Sequence, residues 1–543
     1  MITRVSTGKT GGGRVELARA WPSWLAGIVA LGLLVRMAWD GGGYFPPSYL
    51  SAGAIALLVL FGILVVRPPH YPLSLPALVG LAGLAGLTAW TALSSGWSPS
   101  ADGALEAAQR DLAYLGLFGL ALVAAGSGRH TRALVWGVLL AITVVCAAGL
   151  ISRLYPDVLS VPAAQRFPGY RLAYPLGYWN AFGTLSGMGL VLALGLGADP
   201  AARALVRGLC AGLAVVFVVA LYLSLSRGAW LGVIVGLVVL LALSDRRVSL
   251  LSTAGLVALV GGAALLRLRH YPALTTDPRL GAGQLSEGAA YGRQLIGLLL
   301  VAVAANLINA AGAAPLRERI PHLAPRLKLR LAAVAGLVLI ALAIARAGAV
   351  GGFVDRQWTD FLRPSSTQTG TGRLLNAKGS RSDVYRVALG GFAAHPLIGD
   401  GAGSFAIRWI RERRVDETLQ NAHSLELETL DELGLVGALL LAVFLGSILA
   451  AGVRSRVRAG ALDATRTAAV TGAVAVWLLD SAVDWDWQMS AVTGLALVLA
   501  AALYPHGRWR RRVGGARGSG DAIGLSTCVG EGTSAAGRGA PTL

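Results

Sequence analysis

The chain has 543 residues, of which 55% are hydrophobic and 14% charged, and its formal net charge is +19. Soluble domains carry about 25% charged residues, so this composition excludes an ordinary soluble protein. The apolar residues also come in blocks of about 20, the length of helix that crosses the hydrocarbon core. We therefore predict an all-α, polytopic integral membrane protein. A strongly basic soluble protein would suggest nucleic acid as a partner, but here basic cytoplasmic loops account for the charge, and membrane lipids are the expected surroundings.

The sequence predicts 12–14 transmembrane helices. Fourteen apolar segments fall at 20–38, 50–66, 74–93, 110–126, 133–151, 178–197, 209–225, 229–244, 249–266, 293–312, 331–347, 433–452, 467–483 and 489–505. The two segments on either side of LSLSRGAWLG could also form one long interrupted span. The three cysteines, Cys146, Cys210 and Cys528, lie far apart in the sequence. They indicate neither a disulfide framework nor a metal site, so no metal and no cofactor is expected.

Basic residues concentrate in alternate loops, for example in APLRERIPHLAPRLKLR, VRSRVRAG and RWRRR. The positive-inside rule places these loops and both termini in the cytoplasm. We predict a cytoplasmic segment at 1–19, a bundle of about eleven spans at 20–347, and a long extracytoplasmic catalytic loop at 348–432. Further transmembrane helices at 433–505 and a disordered cytoplasmic tail at 506–543 complete the chain. The expected location is the bacterial cytoplasmic (inner) membrane, with the first span as an uncleaved anchor.

The long loop contains the stretch SRSDVYRVALGGFAAHPLIGDGAGSF at 380–405. It predicts a helix from about Asp383 that ends at His395-Pro396 and is followed by a glycine-rich turn. Three glycines alternate in that turn, at 399, 401 and 403. This spacing resembles a phosphate cradle, but it is more typical of a tight turn.

A second loop helix is predicted to begin near His423, in NAHSLELETLDELGLVG, and to continue into the next span. A histidine in a first helical turn feels the positive end of the helix dipole, which disfavours its protonated form. A neutral His423 could act as a general base near pH 7. The alternative is a histidine that only caps the helix at the membrane surface.

Three arginines are candidates for binding an anionic group. Arg227 lies between two apolar spans, where a cation is costly and a functional role is the default hypothesis. Its alternative role is to anchor the chain to ordinary lipid phosphates. Arg381 and Arg386 flank the start of the first loop helix, and the planar guanidinium suits bidentate contact with phosphate.

The turn VDWDWQM places Asp484 and Asp486 between two tryptophans that fit an interfacial aromatic belt. We expect these aspartates to pair with a loop arginine rather than to act as catalytic acids. Together the candidates predict an outward-facing cavity under the long loop, with several arginines and one neutral histidine. Such a cavity suits a lipid-linked diphosphate leaving group and an acceptor hydroxyl.

These stretches resemble, in their order, the O-antigen ligase and O-antigen polymerase superfamily of bacterial membrane glycosyltransferases. The resemblance covers LSSGWSPSADGALEAAQRDLAYLGLF, RLAYPLGYWNAFG, SLSRGAWLG, the two loop stretches and DWDWQM, from about 93 to 490. It departs from the family pattern at Ser424, where Asn is frequent, and at Gln488, where Glu is frequent. A typical member also has about a dozen spans, whereas fourteen apolar segments occur in this chain.

The resemblance implies transfer of a glycan from undecaprenyl diphosphate to an acceptor hydroxyl outside the inner membrane, without a metal and with inversion of the anomeric centre. The acceptor would be a glycan, a lipid-linked core sugar or a protein hydroxyl. His423 matches the loop histidine that acts as base, and Arg227 and Arg381 match the arginines that bind the diphosphate, with Arg386 as an addition. Six supporting residues come from the same stretches: Ser226, Asp484, Asp486, Tyr178, Trp179 and Asn180.

The motifs leave the subclass open between a ligase, a polysaccharide polymerase and a protein O-oligosaccharyltransferase. A transporter or flippase for a lipid-linked glycan is the alternative from another class. It would predict inverted repeats and ionisable residues at the bilayer midplane. The sequence has no clear repeat, and its ionisable residues gather in the loops.

Overall fold

The computed structural model describes residues 11–68, 73–161, 171–275, 282–319, 359–360, 379–457, 462 and 464–504, with side chains from residue 21 onwards. Within helix 282–319, side chains are described for 283–311. Every regular element in this part of the chain is helical, which confirms the predicted all-α class. The predicted span at 331–347, most of the loop at 348–378 and the tail at 506–543 lie outside the described residues.

Sixteen α-helices occur in the described ranges. They are α1 (Gly11–Trp39), α2 (Pro46–Val66), α3 (Leu75–Leu93), α4 (Ala101–Ala124), α5 (Gly128–Leu154), α6 (Trp179–Gly197), α7 (Ala204–Ser224), α8 (Arg227–Leu243), α9 (Arg247–Leu268), α10 (Pro272–Thr275), α11 (Ala282–Arg319), α12 (Arg381–Ala394), α13 (Phe405–Glu412), α14 (Leu425–Val457), α15 (Ala464–Ser481) and α16 (Ser490–Ala501). Short 3-10 helices occur at Gly41–Gly43, Ser94–Gly96 and Asp486–Gln488.

The predicted spans correspond well to these helices. Thirteen of the fourteen coincide with a helix, and the remaining one, 331–347, is not described. Among the described residues, nine helices are long and apolar enough to cross a membrane, and two shorter apolar helices, α8 and α16, accompany them. Lipid offers backbone amides and carbonyls no partner, so continuous helices are the structure that such a sequence must form. The protein is a multi-pass membrane protein.

The centre of the bundle is built around α6 and α16. Every residue of the apolar part of α6 is buried, and all twelve residues of α16 are buried too. Helices α7, α8 and α15 pack around α6, while α1 and α4 pack against α16. These two helices therefore fix the positions of their neighbours, including the segments at 171–180 and 485–489 that precede them.

Small residues allow the closest helix contact. A Cβ added at Gly236 on α8 would lie 2.7 Å from the carbonyl oxygen of Gly472 on α15. In lipid, packing of this kind holds helices together because burial from water supplies no driving force between them. The outer faces carry exposed apolar side chains, such as Leu58, Phe61 and Leu259. In water a surface of this size would favour aggregation, but it suits contact with lipid.

The predicted break at LSLSRGAW separates two helices. Leu225 adopts a left-handed conformation (φ 51°) that ends α7, and the Ser226 hydroxyl accepts a hydrogen bond from the Ala229 amide at the start of α8. Such an N-terminal cap satisfies one of the free amides of a helix end. The two apolar segments are thus separate helices, as the reading of two spans expects.

The long loop folds onto the end of the bundle with a small core of its own, formed by Val384, Val387, Phe405, Trp409 and Ala422. Its first helix, α12, ends at His395 as predicted. In the turn that follows, the Gly401 amide donates to the Glu432 carbonyl oxygen (2.7 Å). The glycine-rich segment is therefore a tight turn packed on α14, as its spacing suggested.

The second loop helix and the following span are joined in α14, but the join is not continuous. Gly434 has φ 61° and ψ −161°, outside helical geometry. At this break the Leu435 amide donates to the Pro396 carbonyl oxygen (2.9 Å). The acidic segment Leu425–Leu433 is therefore oriented independently of the apolar remainder of α14.

Candidate functional site

A cavity of about 660 Å³ lies where six segments meet at one end of the bundle. The segments are 40–45, 171–180, Arg227, 379–384, 417–423 and 485–489. The predicted topology places all of them on the same side of the membrane. Their meeting in one cavity is therefore consistent with the predicted order of spans.

Three helices begin at residues that line the cavity, namely α6 at Trp179, α8 at Arg227 and α12 at Arg381. A helix N-terminus carries about half a positive charge and presents free amides. Several helix starts around one cavity, two of them at arginines, create a positive field. The arrangement favours a multiply charged anion.

Arg227 lies close to the segment that leads into Arg381. Gly379 lies two residues before Arg381, and a Cβ added there would be 4.0 Å from the Arg227 guanidinium. Both arginines line the cavity. The sequence thus placed them far apart in the chain, and the fold brings them to one wall.

Asp484 forms the floor beneath these groups, with its side chain only 2% exposed. One carboxylate oxygen accepts from the Tyr178 hydroxyl (2.8 Å). The other accepts from Arg381 (2.7 Å) and from the amide of Asn180. The predicted pairing of this aspartate with a loop arginine is present, and the pair fixes the direction of the Arg381 side chain.

A third cation, Arg171, completes the wall. Its guanidinium lies over the Trp179 ring, 4.5 Å from the centroid, and donates to the carbonyl oxygens of Ser224 (2.9 Å) and Leu225 (3.2 Å). It also donates to the side-chain oxygen of Asn180. These contacts use the planar fork of arginine, which lysine lacks.

His423 lies directly before the acidic segment, two residues before α14 begins. Its backbone is left-handed, with φ 52°, a conformation that costs a non-glycine residue on the order of 1–3 kcal/mol and is found mainly at functional sites. The Nδ1 atom lies 3.1 Å from the Asn421 carbonyl oxygen. A carbonyl only accepts, so Nδ1 carries the proton and Nε2 is left as the acceptor.

The surroundings of His423 keep it neutral. Burial, and then the nearby Arg381, lower the pKa of His423 to about 4, against weaker opposing effects of Asp484, the Asn421 carbonyl and Glu417. The imidazole is therefore uncharged near pH 7. The sequence predicted a neutral histidine from the helix dipole, whereas the structure attributes the shift to burial and to a neighbouring cation.

The remaining charged partners of the network are also shifted. Burial would raise the pKa of Asp484, but Arg381 and His423, together with its hydrogen bonds, hold that pKa below its ordinary value. Burial, and then Asp480 and Asp484, raise the pKa of Asp486 well above its ordinary value. The surroundings thus favour the charged form of Asp484, which is paired with Arg381, and disfavour the charged form of Asp486.

Besides Asp484, three predicted site residues lie away from the cavity wall. Arg386 donates to Asp383 (2.9 Å) and to the Glu412 carbonyl oxygen (2.6 Å), which ties α12 to α13. Asp486 is fully buried, and Ser226 is the N-terminal cap of α8. The structure gives these residues positions that support the loop and the helices around the cavity.

Sequence reasoning missed Arg171, Tyr44 and Trp485 as cavity residues. Trp485 stacks on Tyr178 with ring centroids 4.1 Å apart. Tyr44 packs edge-on against Trp485, with ring centroids 5.3 Å apart. One signal was available for Arg171, which like Arg227 directly precedes a stretch leading into an apolar span. Tyr44 carried no comparable signal in the sequence.

Residues 286–442 match the family model described as O-antigen ligase. The matched segment contains Arg381 and His423 and ends before Asp484. No curated protein matches the chain.

Proposed function

We propose, from the match of residues 286–442 to the O-antigen ligase family model, that the protein transfers a glycan from undecaprenyl diphosphate to an acceptor hydroxyl at the outer face of the bacterial cytoplasmic membrane. The family supports glycan transfer by a membrane enzyme in general. The observation that carries the finer proposal is the neutral His423 in the same cavity as Arg227 and Arg381.

The donor end of the cavity suits a diphosphate. Arg171, Arg227 and Arg381 supply cationic groups, and the helix starts add partial positive charge. A lipid-linked diphosphate would have its charged group at the membrane interface and its polyprenyl chain in the bilayer. The cavity lies at the ends of the spans, which is the depth that such a group would occupy.

In the proposed reaction, the acceptor oxygen forms a bond to the anomeric carbon of the donor glycan. The bond between that carbon and the phosphate oxygen breaks, and its electron pair leaves with undecaprenyl diphosphate. Nε2 of His423 takes the proton of the acceptor hydroxyl. Arg227 and Arg381 stabilise the charge that grows on the leaving group, which is usually the largest contribution to catalysis. A single displacement of this kind inverts the anomeric centre and requires no metal.

The distribution of basic residues supports an extracytoplasmic cavity. At the opposite end of the bundle, Arg466 pairs with Asp199 (3.0 Å) and Arg456 pairs with Asp245. Arg246 and Arg247 are exposed at the same end, between α8 and α9. The positive-inside rule favours a cytoplasmic location for this basic end, and this supports the proposal that both termini lie inside and the long loop outside.

The family match favours a ligase as the subclass, and a polymerase or protein O-oligosaccharyltransferase would use the same cavity. A transporter of lipid-linked glycans is the proposal from another class. Transport would require charged groups along a path through the bilayer. The cluster of His423 with the arginines at one end of the spans favours transfer over transport.

The test compares His423→Asn with the wild-type chain in lipid nanodiscs, supplied with a lipid-linked diphosphate glycan and a panel of acceptors. Asparagine tolerates left-handed backbone geometry, so it removes the base without straining the loop. We expect transfer and release of undecaprenyl diphosphate to fall by roughly a hundred- to ten-thousandfold, with donor binding retained.

The matched control is His395→Asn, which changes an exposed histidine at the end of α12 (61% exposed) and should leave transfer unchanged. Equal rates in the wild type and His423→Asn would remove His423 as the base. Donor movement across the bilayer without any transfer product would favour the transporter.

A further inference from the structure

A second cavity of about 260 Å³ adjoins the first, and none of the steps above uses it. Its walls come from α3, α4, α13 and the acidic start of α14. Tyr44, Gln420 and Asn421 line both cavities. The Tyr44 hydroxyl donates to the Gln420 side-chain oxygen (2.8 Å), so this pair forms a thin partition between them.

The two cavities differ in their charged groups. The first contains three arginines beside Asp40 and Glu417, whereas the second is lined by four carboxyl groups (Glu106, Asp111, Glu428 and Glu432) and one cation, Arg110. We name the second the acidic cavity. Arginines bind a diphosphate, so the lipid-linked leaving group is assigned to the first cavity. A carboxyl group accepts hydrogen bonds in either protonation state, and several of them together suit a neutral ligand with several hydroxyl donors.

Buried polar groups of the acidic cavity have hydrogen-bonding capacity to spare. Gln488 is 6% exposed; its amide nitrogen donates to Glu428 (2.6 Å), while its side-chain oxygen accepts from no described residue. Arg110 is 8% exposed, and its Nε likewise has no described partner. A buried polar group without a partner costs about 1–3 kcal/mol, a cost that a hydroxyl-bearing ligand would offset.

The carboxylates themselves are held in place. Asp111 accepts from the Trp487 indole nitrogen (3.0 Å), and Glu432 accepts from the Phe405 amide (3.1 Å). Glu428 accepts from the Ala422 amide (2.7 Å), next to His423. Binding in the acidic cavity therefore lies one residue away from the proposed base.

We propose that the acidic cavity binds one saccharide ring of the acceptor. Its volume admits a single sugar ring rather than an oligosaccharide, and it combines hydrogen-bond acceptors with the Tyr44 and Trp487 side chains. Polar side chains such as Thr91 and Asn421 share the lining with apolar ones such as Leu87, a mixture that suits a sugar ring with both hydroxyl groups and C–H faces. Among the described residues, no group of three acids, histidines or cysteines is arranged to hold a metal ion, which favours hydroxyl groups over a cation.

The inference rests on the proposed function, because only that function makes the bound saccharide an acceptor. Saccharide binding itself can be tested without transfer. The full chain in nanodiscs is mixed with methyl glycosides of hexoses and N-acetylhexosamines, without donor, and saturation-transfer NMR reports contact. We expect signals from at least one glycoside, with equal signals from His423→Asn, which keeps the acidic cavity intact.

Two variants locate the site. Gln488→Met removes the unpartnered oxygen with little change of shape, and Ala107→Phe fills the space while leaving every polar group in place. Each should abolish the glycoside signal and raise the acceptor KM while the donor KM stays constant. For Gln488→Met we expect a rise of roughly three- to tenfold, the range for loss of one neutral hydrogen bond. For Ala107→Phe we expect at least as large a rise, because the ring occupies the space of the ligand. The control is Glu426→Gln, on the same turn of α14 but outside the cavity lining.

Three outcomes would overturn the proposal: no glycoside signal from the wild type, signals that persist in Ala107→Phe, or glycosides that compete with the lipid-linked donor instead of the acceptor. Displacement of the glycoside signal by a divalent cation would also overturn it, in favour of a cation site. Glycoside binding by a chain that transfers nothing would leave the saccharide site standing while the proposed function fails.

Discussion

Asp484 and Arg381 form an ion pair of 2.7 Å whose carboxylate is almost fully buried. The same arginine lies 3.4 Å from the carbonyl oxygen of His423, so one guanidinium connects the carboxylate buried behind the cavity to the proposed base. Asp484 thereby positions a donor-binding residue and the backbone of the histidine together. Its own carboxylate faces protein groups and does not line the cavity.

The first prediction concerns this coupling. Asp484→Asn should lower kcat at least tenfold, because Arg381 loses its charged partner, a contact worth about 1.5–3 kcal/mol. The donor KM should not rise, since the cavity becomes more positive. The measurement is a double-mutant cycle with Arg381→Gln. Because both residues act through one contact, the double variant should be no slower than Arg381→Gln alone, and strictly additive losses would contradict the coupling.

The second prediction concerns pH. A base with a pKa of about 4 is neutral and active above that pH, and activity is lost as the pH falls through it. The acid limb of kcat/KM, which reports the free enzyme, should therefore lie near pH 4 in the wild type.

Arg381→Gln should move that limb to higher pH. Arg381 lowers the pKa of His423 and Asp484 raises it. Removing the guanidinium leaves the effect of Asp484 unopposed by Arg381, so the pKa of the histidine rises and it is protonated at a higher pH. The check is a profile of kcat/KM for the two proteins from pH 3.5 to 8 by transfer assay. A limb that stays in place, or moves to lower pH, would show that the titrating group is not His423.

The sequence was sufficient for the helices because their signal is local. Twenty apolar residues predict a span wherever they occur. The polar stretch around Arg227, between two apolar segments, likewise indicated a boundary between helices. The second loop helix was predicted to begin near His423, and α14 begins at Leu425. The span itself was predicted only from 433, since the acidic first turns carry no apolar signal. They are helical because the loop packs on them.

The site was predictable only in part, because it forms from contacts between distant segments. Arg381 and Arg386 looked equivalent in the sequence. Five residues along a helix of 3.6 residues per turn are about 140° apart around its axis, so only one of them could face the cavity. Arg171 was missed because its partners, Ser224, Leu225 and Asn180, are brought to it by the packing of α6 against α7.

The third prediction concerns Arg171. Its guanidinium uses a fork of hydrogen bonds and the face of Trp179, and lysine reproduces only the charge. Arg171→Lys should therefore raise the donor KM roughly tenfold, the loss of one hydrogen bond to a charged group. Titration of binding with a labelled lipid-linked diphosphate measures this. The control is Arg293→Lys, at an exposed position of α11, and a donor affinity equal to wild type in Arg171→Lys would reduce Arg171 to a structural role.

The fourth prediction concerns the turn that attaches the long loop to the bundle. Gly401 has φ +91°, and a Cβ there would lie 2.4 Å from the Cβ of Ser98. Gly401→Ala would therefore combine a strained backbone with a steric clash. The backbone cannot move away, because the Gly401 amide donates a hydrogen bond to the Glu432 carbonyl oxygen. Strain of this kind costs on the order of 1–3 kcal/mol, and we expect a lower thermal midpoint of the chain in nanodiscs together with weaker transfer.

The matched control for this turn is Gly262→Ala on α9, where an added Cβ meets nothing within 4 Å. Alanine in a helix interior is favoured over glycine by roughly 0.5–1 kcal/mol, so this variant should melt at the same temperature as the wild type or slightly higher. The two glycines differ in backbone geometry and in surroundings, while the substitution is identical. A Gly401→Ala chain that melts with the wild type and transfers at its rate would show that the loop reaches the cavity without this turn, and the attachment would then have to come from the break at Gly434.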